Sequence, residues 1–168
     1  MRGSRKRRLG ILAAAVLAVA VVGAACDPAP APAPLACASP QNAVATTLYN
    51  RVRWDRGMNG VNPNLQYDGA LSCNAQHWAN VMAYTNTFYH QDLQAVLNGG
   101  GSYSYFASLG ENILIGPGNM DGNQIEDAFL ASPPHRANTL GWWDSIGIGL
   151  QWGGDGRIRV AEEFGRHF

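Results

Sequence analysis

The first 35 residues constrain the fold most, because they indicate an export signal and a spacer and leave the rest to form the domain. A basic segment precedes an apolar run over residues 9–22, and small residues follow at 23–25. The basic residues are Arg2, Arg5, Lys6, Arg7 and Arg8. This order is typical of a secretory signal peptide. The run is shorter than a membrane span of ~20 residues, with an uncleaved anchor as the alternative. We predict a signal peptide over residues 1–25 and a secreted or cell-surface protein.

Residues 26–38 are rich in Pro and Ala, and proline occupies every second position from Pro28 to Pro34. Alternating proline favours extended backbone without groups that pack. We predict a spacer over residues 26–38, which would hold a domain over residues 39–168 away from a membrane or wall. A tail without a role is the alternative.

The three cysteines are Cys26, Cys37 and Cys73, and an odd number in an exported protein requires an explanation. Cys26 follows the small residues directly, as the lipid-accepting cysteine of a bacterial lipoprotein does. Lipidation of Cys26 would leave Cys37 and Cys73 to form a disulfide in an oxidising compartment. Ordinary cleavage, with Cys26 free or paired with Cys37, is the alternative.

The charge balance excludes one class of partner. Beyond the signal the chain has seven Arg, no Lys and twelve acidic residues, a formal charge near −5. A nucleic-acid binder needs a basic face, and electrostatic docking on anionic lipid needs basic residues. We therefore expect no nucleic-acid partner, and membrane attachment only through the signal or a lipid anchor.

Two helices are predicted in the first half of the domain. Ser39 and Pro40 are typical of an N-cap and a first helical residue. Asp68 is the expected N-cap of the second helix, whose buried stripe recurs at helical spacing. The stripe is Leu71, Ala75, Trp78, Ala79 and Met82. His77 lies off this stripe and is expected in solvent.

The stretch 109–115 predicts a short buried strand that begins near Glu111. A third helix capped by Asp121 should follow it, with Glu126 and Asp127 on its solvated face. Apolar residues alternate over 146–152 and 158–164 around a hairpin loop, and Glu162 falls in the apolar register. Helices and strands in this order favour an α+β layered domain.

Three residues offer a candidate site: His90, Glu111 and His135. Two imidazoles and a carboxylate suit Zn²⁺ and leave a position for water. Their wide separation does not show convergence, and each has an alternative structural role as a loop histidine, a buried carboxylate or a helix-end residue. Ser132 could be a nucleophile, but an N-cap role explains it more simply and no GxSxG elbow is present.

The motif order resembles the CAP superfamily, which comprises cysteine-rich secretory proteins, antigen 5 and pathogenesis-related 1 proteins, in its bacterial secreted type. Its domain is also called SCP, and the resemblance covers roughly residues 42–166. The motifs are His90, Gly110-Glu111-Asn112-Ile113, Ser132-Pro133-Pro134-His135-Arg136-Ala137-Asn138 and Ile146-Gly147-Ile148-Gly149.

The resemblance implies a three-layer α-β-α sandwich with a central, largely antiparallel sheet. It also implies a cleft with two His and two Glu, of which His90, Glu111 and His135 match three. The second Glu would fall near Ser132, where no carboxylate stands, and Glu162 is the residue that could lean in to compensate. The remaining set could hold Zn²⁺ or Mg²⁺.

No single activity unites the family, so the resemblance predicts the fold better than the function. Our leading hypothesis is a non-enzymatic exported protein that binds lipid or cell-wall material in a metal-capable cleft. The second is a metal-dependent hydrolase or protease, in which His90 and His135 hold the metal and Glu111 is a third ligand or general base. The third is a structural or adhesive module.

Overall fold

The computed structural model describes residues 37–168, so the predicted signal peptide, Cys26 and most of the predicted spacer lie outside the described residues. The helices are α1 (Ala43–Met58), α2 (Gly69–Thr85), α3 (Leu93–Asn98), α4 (Gly122–Ala131) and α5 (Pro133–Thr139), with a 3₁₀ turn at Gly101–Tyr103. The strands are β1 (Gln66–Tyr67), β2 (Phe106–Pro117), β3 (Ser145–Trp152) and β4 (Arg157–His167). In this part of the chain, no helix is long and apolar enough to cross a membrane.

The strands form one sheet in the order β1-β3-β4-β2. The short β1 pairs with β3 in parallel, while β3–β4 and β4–β2 are antiparallel. Helix α2 packs against β3 and β4, and α1 packs with α4 and α5 over the other face. The predicted α-β-α layering with a largely antiparallel sheet is confirmed.

Alternation along the strands explains how both faces of the sheet are covered. Large apolar residues of β3 and β4 join α1 and α4 in the main core. They are Ile146, Ile148, Leu150, Ile158, Val160 and Phe164. Gly147 and Gly149 face α2, where an added Cβ would overlap the helix backbone. Small residues on this face therefore let α2 lie directly on the sheet.

Of the N-caps predicted at Ser39, Asp68 and Asp121, the last two are confirmed. Asp68 accepts hydrogen bonds from the backbone of Ala70 and Leu71, and Asp121 forms a capping box with Gln124. The predicted cap at Ser39 is wrong. Helix α1 begins at Ala43, because the side chain of Asn42 accepts the Ala45 N–H at 2.9 Å, and Asn is as good an N-cap as Ser.

A disulfide joins Cys37 to Cys73, with a Cα–Cα distance of 5.2 Å. That distance lies in the usual range for the bond. The bond ties the segment before α1 to the first turns of α2. The disulfide prediction is therefore confirmed for this pair, whereas the lipidation of Cys26 stays a prediction.

Glu126 is not on the solvated face that the sequence predicts for it. Helix α4 packs against α1, α5 and β2, and Glu126 is 0% exposed. Neither carboxylate oxygen has a hydrogen-bond partner among the described residues. Burial raises the pKa of Glu126, and the nearby Glu162 raises it further. Only Asp127 is in solvent, where it accepts a hydrogen bond from Arg51 at 2.9 Å.

Candidate functional site

The candidate site lies at β2, the edge strand of the sheet, on the face that α2 covers. Glu111 is on β2, and His90 is on the segment between α2 and α3. The His90 Nδ1 and the Glu111 Oε1 are 2.7 Å apart. The Glu111 side chain is 1% exposed, whereas that of His90 is 56% exposed. The edge strand thus supplies a buried carboxylate that holds a solvent-facing imidazole.

This contact decides which ring nitrogen of His90 is free. An ionised carboxylate only accepts hydrogen bonds. The Nδ1 of His90 therefore carries the proton and donates this hydrogen bond to Glu111. The neutral ring then presents an unprotonated Nε2, which can accept a proton or bind a metal. A carboxylate behind a histidine orients the ring in the same way at metal sites.

Gln91 donates two further hydrogen bonds to the carboxylate of Glu111. Its backbone N–H donates to Oε1 at 3.2 Å, and its Nε2 donates to Oε2 at 2.8 Å. The same Nε2 lies 2.6 Å from Oε1 of Glu163, which Asn74 of α2 also contacts at 2.9 Å. Both oxygens of Glu111 therefore already accept hydrogen bonds.

Glu163 is a residue of this site that the sequence reasoning missed. It pairs with Glu111 across β2 and β4, and burial raises its pKa to about 8, with Glu111 adding to the effect. Its Oε2 has no partner among residues 37–168. Glu163 is visible in the sequence as an acidic residue, but only the register of β2 and β4 shows that it lies opposite Glu111.

His135 approaches the same edge strand from α5. Its half-buried ring packs edge-on against Phe129, with 5.4 Å between ring centroids. Burial lowers the pKa of His135, and His90 is close enough to lower it further. Asn138 of the same helix donates to the backbone oxygen of Glu111 at 2.9 Å. His135 is thus near enough to His90 for their charges to interact, but among residues 37–168 its ring makes no hydrogen bond to His90 or Glu111.

With this geometry in place, comparison with known proteins decides the family. The model of the cysteine-rich secretory protein family, CAP, matches residues 46–161. The chain belongs to the CAP family. A search of curated proteins finds no match to it.

Solved structures share the CAP fold at low sequence identity. An outer surface protein from Borrelia burgdorferi is 20% identical with a TM-score of 0.63, and the match covers 73% of this chain and 92% of that one. An extracellular SCP-domain protein from Bacillus anthracis is 23% identical with a TM-score of 0.59, covering 72% and 39%. A cysteine-rich secretory protein from Staphylococcus aureus is 17% identical with a TM-score of 0.57, covering 72% and 37%. This chain thus spans less than half the length of the latter two.

The resemblance to the CAP superfamily implies that its second glutamate would fall near Ser132 in this chain. Ser132 is the N-cap residue of α5, as expected, but its side chain makes no capping hydrogen bond. Pro133 follows it and fixes the first turn of the helix instead. No carboxylate therefore enters the cleft from this position.

Glu162 does not replace the missing carboxylate. The β2–β4 register is regular here, so Glu162 pairs with Asn112 and lies on the opposite face from Glu111. Its Oε2 accepts a hydrogen bond from Asn112 at 3.0 Å, and the residue is 0% exposed. The expectation that Glu162 leans into the cleft is wrong, because successive strand residues point to opposite faces.

The side chains of His90, Glu111 and His135 limit which metal ion could bind between them. Among residues 37–168, no group of three His, Cys, Asp or Glu side chains is arranged to hold a metal ion. The oxygens of Glu111 are engaged, which leaves the imidazoles of His90 and His135. Imidazole suits Zn²⁺, whereas Mg²⁺ prefers oxygen ligands. The residues present therefore do not form a complete three-ligand site.

Proposed function

We propose that this protein is an exported CAP-domain protein that binds a lipid-type ligand, with a polar end and an apolar body, at the cleft of His90, Glu111 and His135. The observation that carries the proposal is the exposed imidazole of His90 held by the buried carboxylate of Glu111. A fixed hydrogen-bonding group at a partly apolar cleft is the usual arrangement for orienting a small molecule.

The chain beside His90 supplies apolar surface for the body of such a ligand. Phe88 and Tyr89 are 50% and 51% exposed. Trp78 of α2 fixes this segment, because its Nε1 donates to the backbone oxygen of Tyr89 at 3.0 Å and the two rings pack edge to face. Exposed aromatic side chains next to a polar group favour amphipathic ligands.

The N-terminal pattern and two structural relatives support export. Residues 1–25 have the features of a signal peptide, and two of the structural relatives are described as an outer surface and an extracellular protein. A surface location places the cleft where lipid or cell-wall material is available. Lipidation of Cys26 would hold the protein there.

The proposal includes a Zn²⁺ ion as an optional occupant of the two imidazoles. Zn²⁺ would supply a Lewis acid that binds the polar end of the ligand. His90 and His135 would hold it, and Glu111 would orient His90. Ligand binding does not require the metal, since His90 and the buried network of Gln91 and Glu111 are in place without it.

The test begins with protein purified from the exporting host without chelator. Mass spectrometry of an organic extract should find a bound lipid, and a fluorescent fatty acid should bind saturably to the stripped protein. His90→Ala and Phe88→Ala should each weaken binding by about tenfold, or ~1.4 kcal/mol. His77→Ala and Tyr84→Ala alter exposed residues of α2 and serve as matched controls. An extract without lipid together with no fatty-acid binding would refute the proposal.

A further inference from the structure

A second groove lies away from the His90 cleft and shares no residue with it. It is formed by the end of α1 with the loop after it, by residues 142–144 before β3, and by Arg166 at the end of β4. Its volume is about 480 Å³. Small-molecule sites typically measure roughly 300–1,000 Å³, so the groove is large enough for a compact organic ligand.

Two adjacent tryptophans of this groove have different roles. Trp143 is anchored, because its Nε1 donates to the backbone oxygen of Asn138 at 2.7 Å and its ring stacks on Phe164. Trp142 is 82% exposed, and its indole makes no hydrogen bond or aromatic pair with another residue of the described part. A rigid backbone thus presents one indole to solvent at the groove. An exposed indole is a suitable stacking surface for a ligand ring.

The floor of the groove carries a fixed positive charge. Arg56 is 1% exposed. Its Nε donates to the backbone oxygen of Asn62, and its Nη1 donates to those of Thr139 and Gly141. Its Nη2 has no acceptor among residues 37–168, so this group retains donors for a ligand. A guanidinium held in this way is pre-organised for an anion.

The remaining polar groups complete a charged and hydrogen-bonding wall. Arg166 adds a second cation, while Asp144 is the single acidic residue lining the groove. One oxygen of Asp144 already accepts the backbone N–H of His167 at 2.9 Å. The Oδ1 of Asn62 accepts a hydrogen bond from the backbone N–H of Asn64, which leaves the amide N–H₂ group as the donor of this side chain. The groove therefore has an excess of donors and a net positive charge.

We propose that this groove binds a sugar ring that bears an anionic group, a carboxylate or a phosphate. The apolar C–H face of the ring would stack on Trp142. The anionic group would meet Arg56 and Arg166, whose guanidinium groups bind carboxylate and phosphate alike. The hydroxyl groups of the sugar both donate and accept hydrogen bonds, so they can accept from the amide of Asn62 and donate to the carboxylate of Asp144. This site is independent of the lipid-type ligand proposed for the His90 cleft.

The experiment follows the Trp142 indole N–H signal by NMR while the purified protein is titrated with three probes. D-glucuronic acid and D-glucose 6-phosphate carry the two kinds of anion, and D-glucose is the neutral control. Saturable shifts of Trp142 are expected with an anionic sugar, with D-glucose binding at least about tenfold more weakly. The two anionic arms show whether carboxylate or phosphate is preferred, and binding of either supports the proposal.

Two variants test the residues that would do the binding. Trp142→Ala and Arg166→Gln alter exposed positions and should each reduce affinity by about tenfold or more. Affinity of the variants is measured by isothermal titration calorimetry, because Trp142→Ala removes the NMR reporter. Trp54→Ala removes an exposed tryptophan outside the groove and should leave affinity unchanged. Equal binding of all three sugars, no shift with any of them, or full affinity in Trp142→Ala would overturn the proposal. The lipid assay of the His90 cleft should be unaffected by these variants.

Discussion

At the scale of single residues, Glu111 contributes to the proposed ligand site by orienting the ring of His90. Its side chain is buried, and its two oxygens accept hydrogen bonds from His90 and Gln91. The carboxylate fixes which nitrogen of His90 faces solvent. A variant that keeps the size of Glu111 and removes its charge therefore separates orientation of the imidazole from packing.

Glu111→Gln should lower the free energy of unfolding by roughly 1–3 kcal/mol, because the glutamine NH₂ group replaces one acceptor oxygen and then faces a donor, either of His90 or of Gln91. It should also shift His90 away from the Nδ1-protonated form. Urea unfolding and side-chain ¹⁵N NMR measure the two effects. Asp92→Asn is the control, since this exposed residue caps α3 and asparagine caps equally well. Wild-type stability with an unchanged His90 tautomer would contradict the role of Glu111.

At the scale of secondary-structure elements, local signals predicted some boundaries and missed others. The N-caps at Asp68 and Asp121 could be predicted from the sequence, because each is a contact between a side chain and the backbone a few residues away. The two-residue β1 and the six-residue α3 were missed, since elements this short show no periodicity. Glu126 was misplaced because the covering of α4 by its neighbours depends on tertiary packing.

The contact of α2 with β3 gives a prediction at this scale. A Cβ at Gly149 would overlap the backbone of Ala75 and Gln76. Gly149→Ala should therefore push α2 from the sheet and lower the unfolding free energy by about 1–3 kcal/mol or more. Gly154→Ala is the matched control, because no atom lies within 4 Å of the added Cβ. Equal stability of the two variants in urea melts would show that α2 does not rest on Gly149.

The disulfide gives a second prediction for α2. It closes a loop with a sequence separation of 36 residues, so its loss should cost about 2–4 kcal/mol through the greater freedom of the unfolded chain. Cys73→Ser should show this loss in thermal or urea unfolding. Cys26→Ser should leave domain stability unchanged. A wild-type melting curve for Cys73→Ser would show that the bond does not restrain the unfolded chain.

At the scale of the whole molecule, buried carboxylates set the response of stability to pH. Burial raises the pKa values of Glu126, Glu162 and Glu163 above the ordinary value of 4.5, that of Glu163 to about 8. Glu126 also faces Asp55 and Arg51, and Glu162 also faces Arg56. These groups bind protons in the folded state that the unfolded chain has released, so folding takes up protons between pH 4.5 and 8.

The unfolding free energy should consequently fall as pH rises from about 5 to 8. Below about pH 4.5 this dependence should end, because the three carboxyls are then protonated in both states. Asp155, whose pKa is lowered to about 2 by Arg159, acts in the opposite direction only at more acidic pH. His135, whose pKa burial lowers from 6.5, also opposes the trend near pH 6.5, as one group against three carboxyls. Urea melts across this range measure the trend, and Glu162→Gln should flatten it. A stability that rises from pH 5 to 8 would be inconsistent with protonated buried carboxyls.

The family resemblance predicted more of the molecule than the residue pattern alone. It indicated the layers of the sandwich and the candidate set of His90, Glu111 and His135. Spacing alone did not show that these residues converge, because they are separated by about twenty residues each and come from three different elements. Glu163 and the Trp142 groove depend on strand register and loop packing, which the linear sequence does not display.

The proposed function requires that His90 and His135 belong to one ligand-binding cleft. The most direct measurement is a titration of ¹⁵N-labelled protein with a fatty acid, in which NMR monitors the ring nitrogens of all four histidines. We predict that the signals of His90 and His135 shift together and saturably, with His90 changing at Nε2, while exposed His77 does not respond. Independent titration of His90 and His135, or an equal response of all four rings, would contradict the account.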